Sequence, residues 1–557
     1  MADAGDIISR VYGGFRGVDF RGEEINLVRS PDSLNVWKDY KETDSIRTRP
    51  GIELNTEFSE PVYGIFFFNG KMLVHSGTKL YRVVNGASTV LYSGLKAAPS
   101  DSFIYENVWY FKDGKNYLCY DGTTIKDVEG FVPTTSIARK PSGGGTIYED
   151  VNYLTGWRIN TFLADGTSTE YFLDAKNLDA VLPTVTVNGV ETSDYIIHYD
   201  EGKVVFSNAP SVPKTDGQDN VKIKFRKTVV GYADRIKKCT LLQVFDNRVF
   251  FSGNPDYPNM VYHCSLDDPS YCSDLDYYNE GLDNAAVKGM VAGNNALWVF
   301  REPSQANTTV FYHTPTIDSD YGKIYPSTHS NVTTGCIGKA INFNDDIVFF
   351  SDRGMEGISG DVTTEQVLGH RSTMVDRKMT AEELYKDMVL AEWKGYLIAF
   401  IGNHAYLADS RATFANNGHT EYDWFYWDIG KKVNCTRVDN GLLYIGTDRG
   451  VYLFNENISD GESYWVTALD KFKYPHRQKT TNKRGCVVEA TGDVSVYAKT
   501  ENTDFELVGD YKGVTDYFVC RIKRKKFKGL QLKFHSKTRF SLETATIEAF
   551  VGGYIKR

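Results

Sequence analysis

The chain has 557 residues, of which 14% are aromatic, with 36 Tyr and 32 Phe against 8 Met, a balance that favours half-buried pleated surfaces over helical stripes. That length suits about three or four domains. No stretch reaches the roughly 18 apolar residues of a membrane helix, and the start MADAGDIISR lacks the charged and apolar regions of a secretory leader, so neither a membrane span nor secretion is expected. The net charge of −9 is unevenly spread. Lys471 to Arg557 holds 19 Lys+Arg against 9 Asp+Glu, a balance of +10, which leaves −19 on the residues before it. Such asymmetry marks off a C-terminal module suited to an acidic partner or nucleic acid. The eight cysteines include no Cys-x-x-Cys pair and read as free thiols.

In chain order, residues 1–58 read as an extended N-terminal arm with little core potential, in which GGFRGVDF and the turn Arg47-Thr48-Arg49-Pro50-Gly51 sit among charges. Such an arm either supplies a closing strand to the last repeat or augments a neighbouring subunit. The pattern leaves both open.

From residue 59 a unit recurs seven times over 59–140 and 231–470: an apolar strand, a tight Asn/Gly/Asp turn, an aromatic strand, a polar turn and a third strand. The first turns fall at Gly70, Asn107, Asn247, Asn295, Asp345, Gly395 and Gly441, at spacings of 37, 140, 48, 50, 50 and 46 residues. Apart from the 140-residue interval, these fit a four-stranded propeller blade of roughly 40–50 residues, and the long interval calls for an insertion of about 90–100. Gly or Asn at each turn supplies the positive φ that a two-residue hairpin demands. A lone blade cannot bury both faces, whereas a closed ring of blades does and also protects its edges. A seven-bladed β-propeller is therefore expected, a pair of ordinary sandwiches being the competing reading. The fifth and seventh copies are most alike, sharing Asp352-Arg353-Gly354 and Asp448-Arg449-Gly450.

The insertion, residues 141–230, is expected to be a small β-sandwich entered through a flexible hinge, Pro141 to Gly145. Hairpin signals lie at Asp165-Gly166, Asn188-Gly189 and Glu201-Gly202, ahead of the strand VKIKFRK. Residues 471–557 read as a second, basic β-sandwich. Its run Arg521, Lys523, Arg524, Lys525, Lys526 and Lys528 is the sharpest charge feature of the chain. A lysine-guarded edge strand, a phosphate-backbone contact and an acidic subunit interface all suit it.

No catalytic signature is present: no H-E-x-x-H, no G-x-S-x-G beyond the near miss Gly357-Ile358-Ser359-Gly360, and no complete P-loop or dinucleotide fingerprint. Thr447-Asp448-Arg449-Gly450 is at best a relic of a sialidase-type box. The acidic loop Asp267, Asp268, Asp274, Asp276, Glu280 and Asp283, with His263, Cys264 and Cys272, follows neither zinc nor EF-hand spacing and reads as solvated. No enzyme activity, metal or cofactor is expected.

The opening GGFRGVDFRGEEINLVRSPDSLNVWKDYKETDSIRTRPGIEL, with Ser33 to Val36 ahead of Arg47 to Ile52, resembles the start of tail proteins of tailed double-stranded-DNA bacteriophages. The stretch VFDNRVFFSGNPDYPNMVYHCSLDDPSY and the ending FSLETATIEAFVGGYIKR resemble the same group. That family is similar to the tail hub, or nozzle, proteins, also described as packaged-DNA stabilisation proteins. The resemblance implies a virion protein made in the host cytoplasm: a β-propeller in a homo-hexameric ring below the head-to-tail adaptor. Tail fibre or needle proteins would be its neighbours, and sequence-independent contact with packaged DNA would help retain the genome. Within it Arg47, Arg49, Pro50 and Gly51 form the family-like turn. A receptor- or glycan-binding tail component, or a fibre attachment protein, is the alternative; a glycosidase is a weaker third.

Overall fold

The computed structural model describes residues 6–554 apart from 23–24, 40–43, 306–307, 320–321, 360–366 and 417–418. The protein is all-β: among the described residues helix is confined to Tyr232–Lys237, Asp376–Met379 and a 3-10 turn at Tyr385–Asp387, and no helix is long and apolar enough to cross a membrane. The chain divides into two compact units, residues 92–330 and residues 1–91 with 331–557.

Unit 92–330 contains three four-stranded antiparallel meanders, whose first strands are Asp101–Tyr105, Leu241–Phe245 and Val287–Gly293. The other unit contains four, opening at Val62–Phe68, Ala340–Phe343, Val389–Trp393 and Cys435–Asp439. Each corresponds to one copy of the sequence repeat. The last copy supplies only three strands of its own, and its fourth is Gly51–Glu57, antiparallel to Gly450–Asn455. Of the two fates open to the N-terminal segment, closing the last repeat is the one observed.

The first hairpin of every copy turns on two residues of positive φ, as in Asn69 and Gly70 (49° and 69°), Asp246 and Asn247 (50° and 55°) and Asn440 and Gly441 (48° and 76°). That is the type I′ geometry whose twist matches the flanking strands. The likeness of the fifth and seventh copies extends to hydrogen bonds. Ser351 Oγ donates to the Gly354 carbonyl at 3.2 Å and accepts from Arg353 N at 3.1 Å. Thr447 Oγ1 does the same with Gly450 and Arg449 at 3.1 and 3.3 Å. These turns shape the backbone.

Within residues 92–330 the insertion forms a six-stranded and a three-stranded sheet. They share a core of Phe162, Tyr171, Val185, Val204, Phe206, Ile223 and neighbours. The expected start at 141 is displaced. Thr134–Arg139 already belongs to the six-stranded sheet, parallel to Trp157–Phe162. The expected hinge Pro141–Gly145 is instead a hairpin turn inside the module, because Ser136 and Ile137 pair with Ile147 and Thr146. Its glycines answer a geometric need: Gly143, Gly144 and Gly145 have φ of 106°, 81° and 96°, and a Cβ on Gly145 would sit 2.7 Å from the Ile137 carbonyl.

The C-terminal domain differs from the expected module more deeply. Its long strands Arg477–Thr500 and Phe540–Tyr554 belong to an eleven-stranded sheet that also takes in Ile7–Tyr12, Ser33–Leu34, Val36–Trp37, Ile46–Thr48 and Ser463–Val466. A straight strand would hold Lys479 and Thr500 roughly 70 Å apart. Yet Lys479 Nζ donates to the Lys528 carbonyl at 2.7 Å, and Lys528 N donates to the Glu501 carboxylate at 2.9 Å. The strand therefore folds back on itself. It changes partner from Phe540–Tyr554 to Leu530–Ser536 just past Gly492, whose φ of 89° suits the bend.

The segment expected to have little core potential buries Tyr12, Phe15, Val18, Val36, Trp37 and Ile46 to 1% exposure or less. Trp37 stacks on Trp393 at 5.6 Å and meets Trp427 edge-on at 5.6 Å, while Trp427 Nε1 donates to the Val36 carbonyl. Sparse hydrophobic residues sufficed because each finds a prepared slot between strands distant in sequence.

Candidate functional site

The basic run lies along one side of the long strand Arg477–Thr500. Lys525–Phe527 pairs with Lys479 and Thr480, and Tyr517–Cys520 pairs with Cys486 to Glu489. Its side chains alternate. Ile522 and Phe527 point inward at 1% exposure, whereas Arg521, Lys523, Lys526 and Lys528 are exposed. The backbone between them is held firmly: Arg524 N donates to Thr481 Oγ1 at 3.0 Å, Thr481 N donates to the Arg524 carbonyl at 3.0 Å, and Gly529 N donates to Glu501 at 3.0 Å.

The run divides by role. Arg524 is partly buried and internally engaged, its guanidinium donating to Glu506 at 2.8 Å and to the Ala498 carbonyl at 3.2 Å. The side chain of Lys525 lies outside the described residues. Arg521, Lys523, Lys526 and Lys528 form no ion pair among the described residues, so four cations with no anion of their own stand on an anchored edge. Such an arrangement repels a further strand and attracts an external anion. Burial lowers the pKa of Lys479, beneath the run, and its ammonium donates to the Tyr474 and Lys528 carbonyls.

The family-like turn is an internal lock. Arg49 is 3% exposed; its guanidinium pairs with Asp460 at 2.9 Å and donates to Asn35 Oδ1 at 3.0 Å, the Pro50 carbonyl at 2.8 Å and the Asp428 carbonyl at 3.0 Å. Asp460 also accepts from Ile52 N at 2.9 Å, so one carboxylate holds both the arginine and the start of the closing strand. Arg47 pairs with Asp39 at 2.9 Å. A Cβ on Gly51 would approach the Ile458 carbonyl to 3.0 Å. The turn is brought together with the last repeat rather than with the basic run.

Two titratable clusters join side chains whose pairing carried no sequence signal. His370 lies between Asp376 at 2.5 Å and Glu356 at 3.2 Å. Burial lowers its pKa, but hydrogen bonds to those carboxylates prevail and raise it to about 10, so the imidazolium is a charged tie and a poor base at neutral pH. In the other unit, His313 Nε2 meets Glu280 at 2.8 Å, and Ser327 Oγ donates to the same carboxylate at 2.7 Å. His313 and Glu280 are both 0% exposed, which bars substrate from them. The acidic loop is thus not wholly solvated: Glu280 is drawn inward by its histidine, and burial lowers the pKa of His263 to about 4. No group of three or more His, Cys, Asp or Glu among the described residues is placed to hold a metal ion.

No protein-family model matches the chain, and no curated protein matches it. Among solved structures it is faintly similar to BamB from Moraxella catarrhalis, at 9% identity over 76% of this chain and 92% of that one, with a TM-score of 0.32. PorZ of the type-IX secretion system of Porphyromonas gingivalis is 12% identical over 82% and 70%, with a TM-score of 0.25. An exo-β-1,3-galactanase from Phanerochaete chrysosporium is 12% identical over 55% and 94%, with a TM-score of 0.22. Similarity this weak bears on neither activity nor partner.

Proposed function

We propose that the chain is a structural, non-enzymatic subunit of a tailed-phage virion. In this reading the seven meanders form one seven-bladed β-propeller, and copies of the chain assemble as a homo-hexameric hub or nozzle ring below the head-to-tail adaptor. The ring extends the DNA channel and helps retain the packaged genome. The resemblance of both chain ends to phage tail proteins supports this, as does the closure of the last repeat by Gly51–Glu57, the device by which a propeller removes its open edges. The observation that carries the functional part is the strip Arg521, Lys523, Lys526 and Lys528: cations with no ion pair among the described residues, on an anchored backbone, in a domain of balance +10. A phosphate backbone is read by charge without sequence preference, which is what a channel wall requires.

The test is duplex-DNA binding by the purified assembly as a function of salt, with Arg521, Lys523, Lys526 and Lys528 replaced by Gln. Arg524 is left intact because it holds Glu506. Each phosphate contact removed should lower the slope of log K against log salt by about 0.9. Unchanged slopes, together with virions that keep their genome across ionic strengths, would reduce the strip to an edge guard. Tail-axis density lacking this chain in virion maps would defeat the reading altogether.

A further inference from the structure

The inserted sandwich presents a surface that the tail reading does not use. In its strand Val221–Arg226, Val221, Ile223 and Phe225 face the core at 1% exposure or less. Lys222, which is exposed, and Lys224 and Arg226, which are half-buried, therefore lie on the face turned away from that core. Their neighbours on the adjacent strand are Thr161, Ile159 and Trp157 in register. Two depressions open onto this pair of strands. One, of about 820 Å³, is bordered by Trp157, Lys224 and Arg226, with Tyr153 and Tyr232 on its far side. The other, of about 360 Å³, is bordered by Thr161, Thr186 and Lys222. From Trp157 to Thr161 the strand runs about 13 Å, the length of two to three sugar rings.

Along this track Arg226 pairs with Asp179 at 3.1 Å and Thr161 Oγ1 donates to Asp219. Lys222 and Lys224 form no ion pair among the described residues. Lys224 Nζ lies over one face of the Trp157 ring, 5.2 Å from its centre, which leaves the opposite face for stacking, and the Trp157 indole N–H donates to no protein group among the described residues. An unpaired ammonium beside an available indole N–H and ring suits a carboxylate attached to a ring that stacks. The carboxylates nearby discriminate between polyanions. Asp127, Glu129 and Asp234 border the larger depression and Asp219 the smaller. Those at the larger depression offer acceptors to hydroxyls, which sugar rings carry and a deoxyribose phosphodiester chain does not.

We infer that the outer face of the inserted sandwich binds an oligosaccharide carrying carboxylated sugars, with Trp157 as the stacking platform and Lys222 and Lys224 as the carboxylate contacts. This stands apart from the tail reading, since it concerns the single chain and no DNA. The experiment is calorimetric titration of the full chain with an oligogalacturonate tetramer, with maltotetraose and a thymidine hexanucleotide as controls. The tetramer should bind with a submillimolar Kd, and maltotetraose on the order of tenfold more weakly or worse. Lys222→Gln and Lys224→Gln, both at outward positions, should each weaken binding by roughly three- to tenfold with the unfolding midpoint unchanged. Trp157→Phe, which keeps a ring but removes the N–H, should retain the fold and weaken binding. Failure to bind the tetramer, equal binding of maltotetraose, tighter binding of the hexanucleotide, or full affinity in both lysine variants would overturn the inference.

Discussion

The inserted module and the C-terminal domain are both antiparallel, but they complete their cores in opposite ways. The core of the inserted module is drawn from Phe162 to Phe225, one continuous stretch. The C-terminal domain brings Ile8, Tyr12, Val36, Trp37 and Ile46 from the start of the chain into the same core as Cys486, Leu532 and Ile547. A core whose members are close in sequence is closed by short loops, at little entropic cost. One assembled from both ends must wait for everything between them to be placed. The first kind of region is a portable domain, whereas the second is the seam that fastens the chain.

The largest effect should come from separating the two regions. A polypeptide of residues 132–228 should fold cooperatively by itself, with dispersed amide resonances, while residues 463–557 alone should not. Independent folding of the latter would refute the seam. Next in size is Trp37→Ala, which vacates the stack on Trp393 and Trp427 and should cost about 3–5 kcal/mol. Urea unfolding should show the loss in the unit of residues 1–91 and 331–557, with the inserted module's transition unmoved. The smallest effect is one of pH. The folded pKa of His370 is about 10, above an unfolded value near 6.5. Its contribution is therefore complete below roughly pH 6.5 and fades as pH rises through 10. The stability gap between the protein and His370→Gln should shrink from pH 6 to pH 10.5, and a flat gap would remove the charged tie. The inserted module, whose only histidine is the exposed His198, should show no such loss.

What was legible in advance follows from the range of the interactions. The turns at Gly70, Asn107, Asn247, Asn295, Asp345, Gly395 and Gly441 were readable because a two-residue hairpin needs positive φ locally, and Asn, Asp and Gly announce it. The hinge at Pro141 to Gly145 was misread for the same local reason. Three glycines look alike in a linker and in a crowded hairpin, and only the Cβ space at Gly145 distinguishes them. Arg49 stood out as a motif, but its use was hidden, since its partner Asp460 lies on the last repeat. The basic run was visible as charge. The sorting of Arg524 from its neighbours required Glu506 and Ala498 to be in place.

By itself, then, the sequence determined the strand-rich class, the number of repeated units and the place of the insertion, because period-two alternation and turn chemistry are properties of a few adjacent residues. Tertiary structure alone decided that Tyr12, Trp37 and Ile46 are core and Gly51–Glu57 a closing strand, that Arg477–Thr500 folds back on itself, and that Arg524 of the basic run is engaged internally. Those outcomes depend on residues hundreds of positions apart meeting at hydrogen-bonding and van der Waals distances, and no local pattern encodes such a meeting.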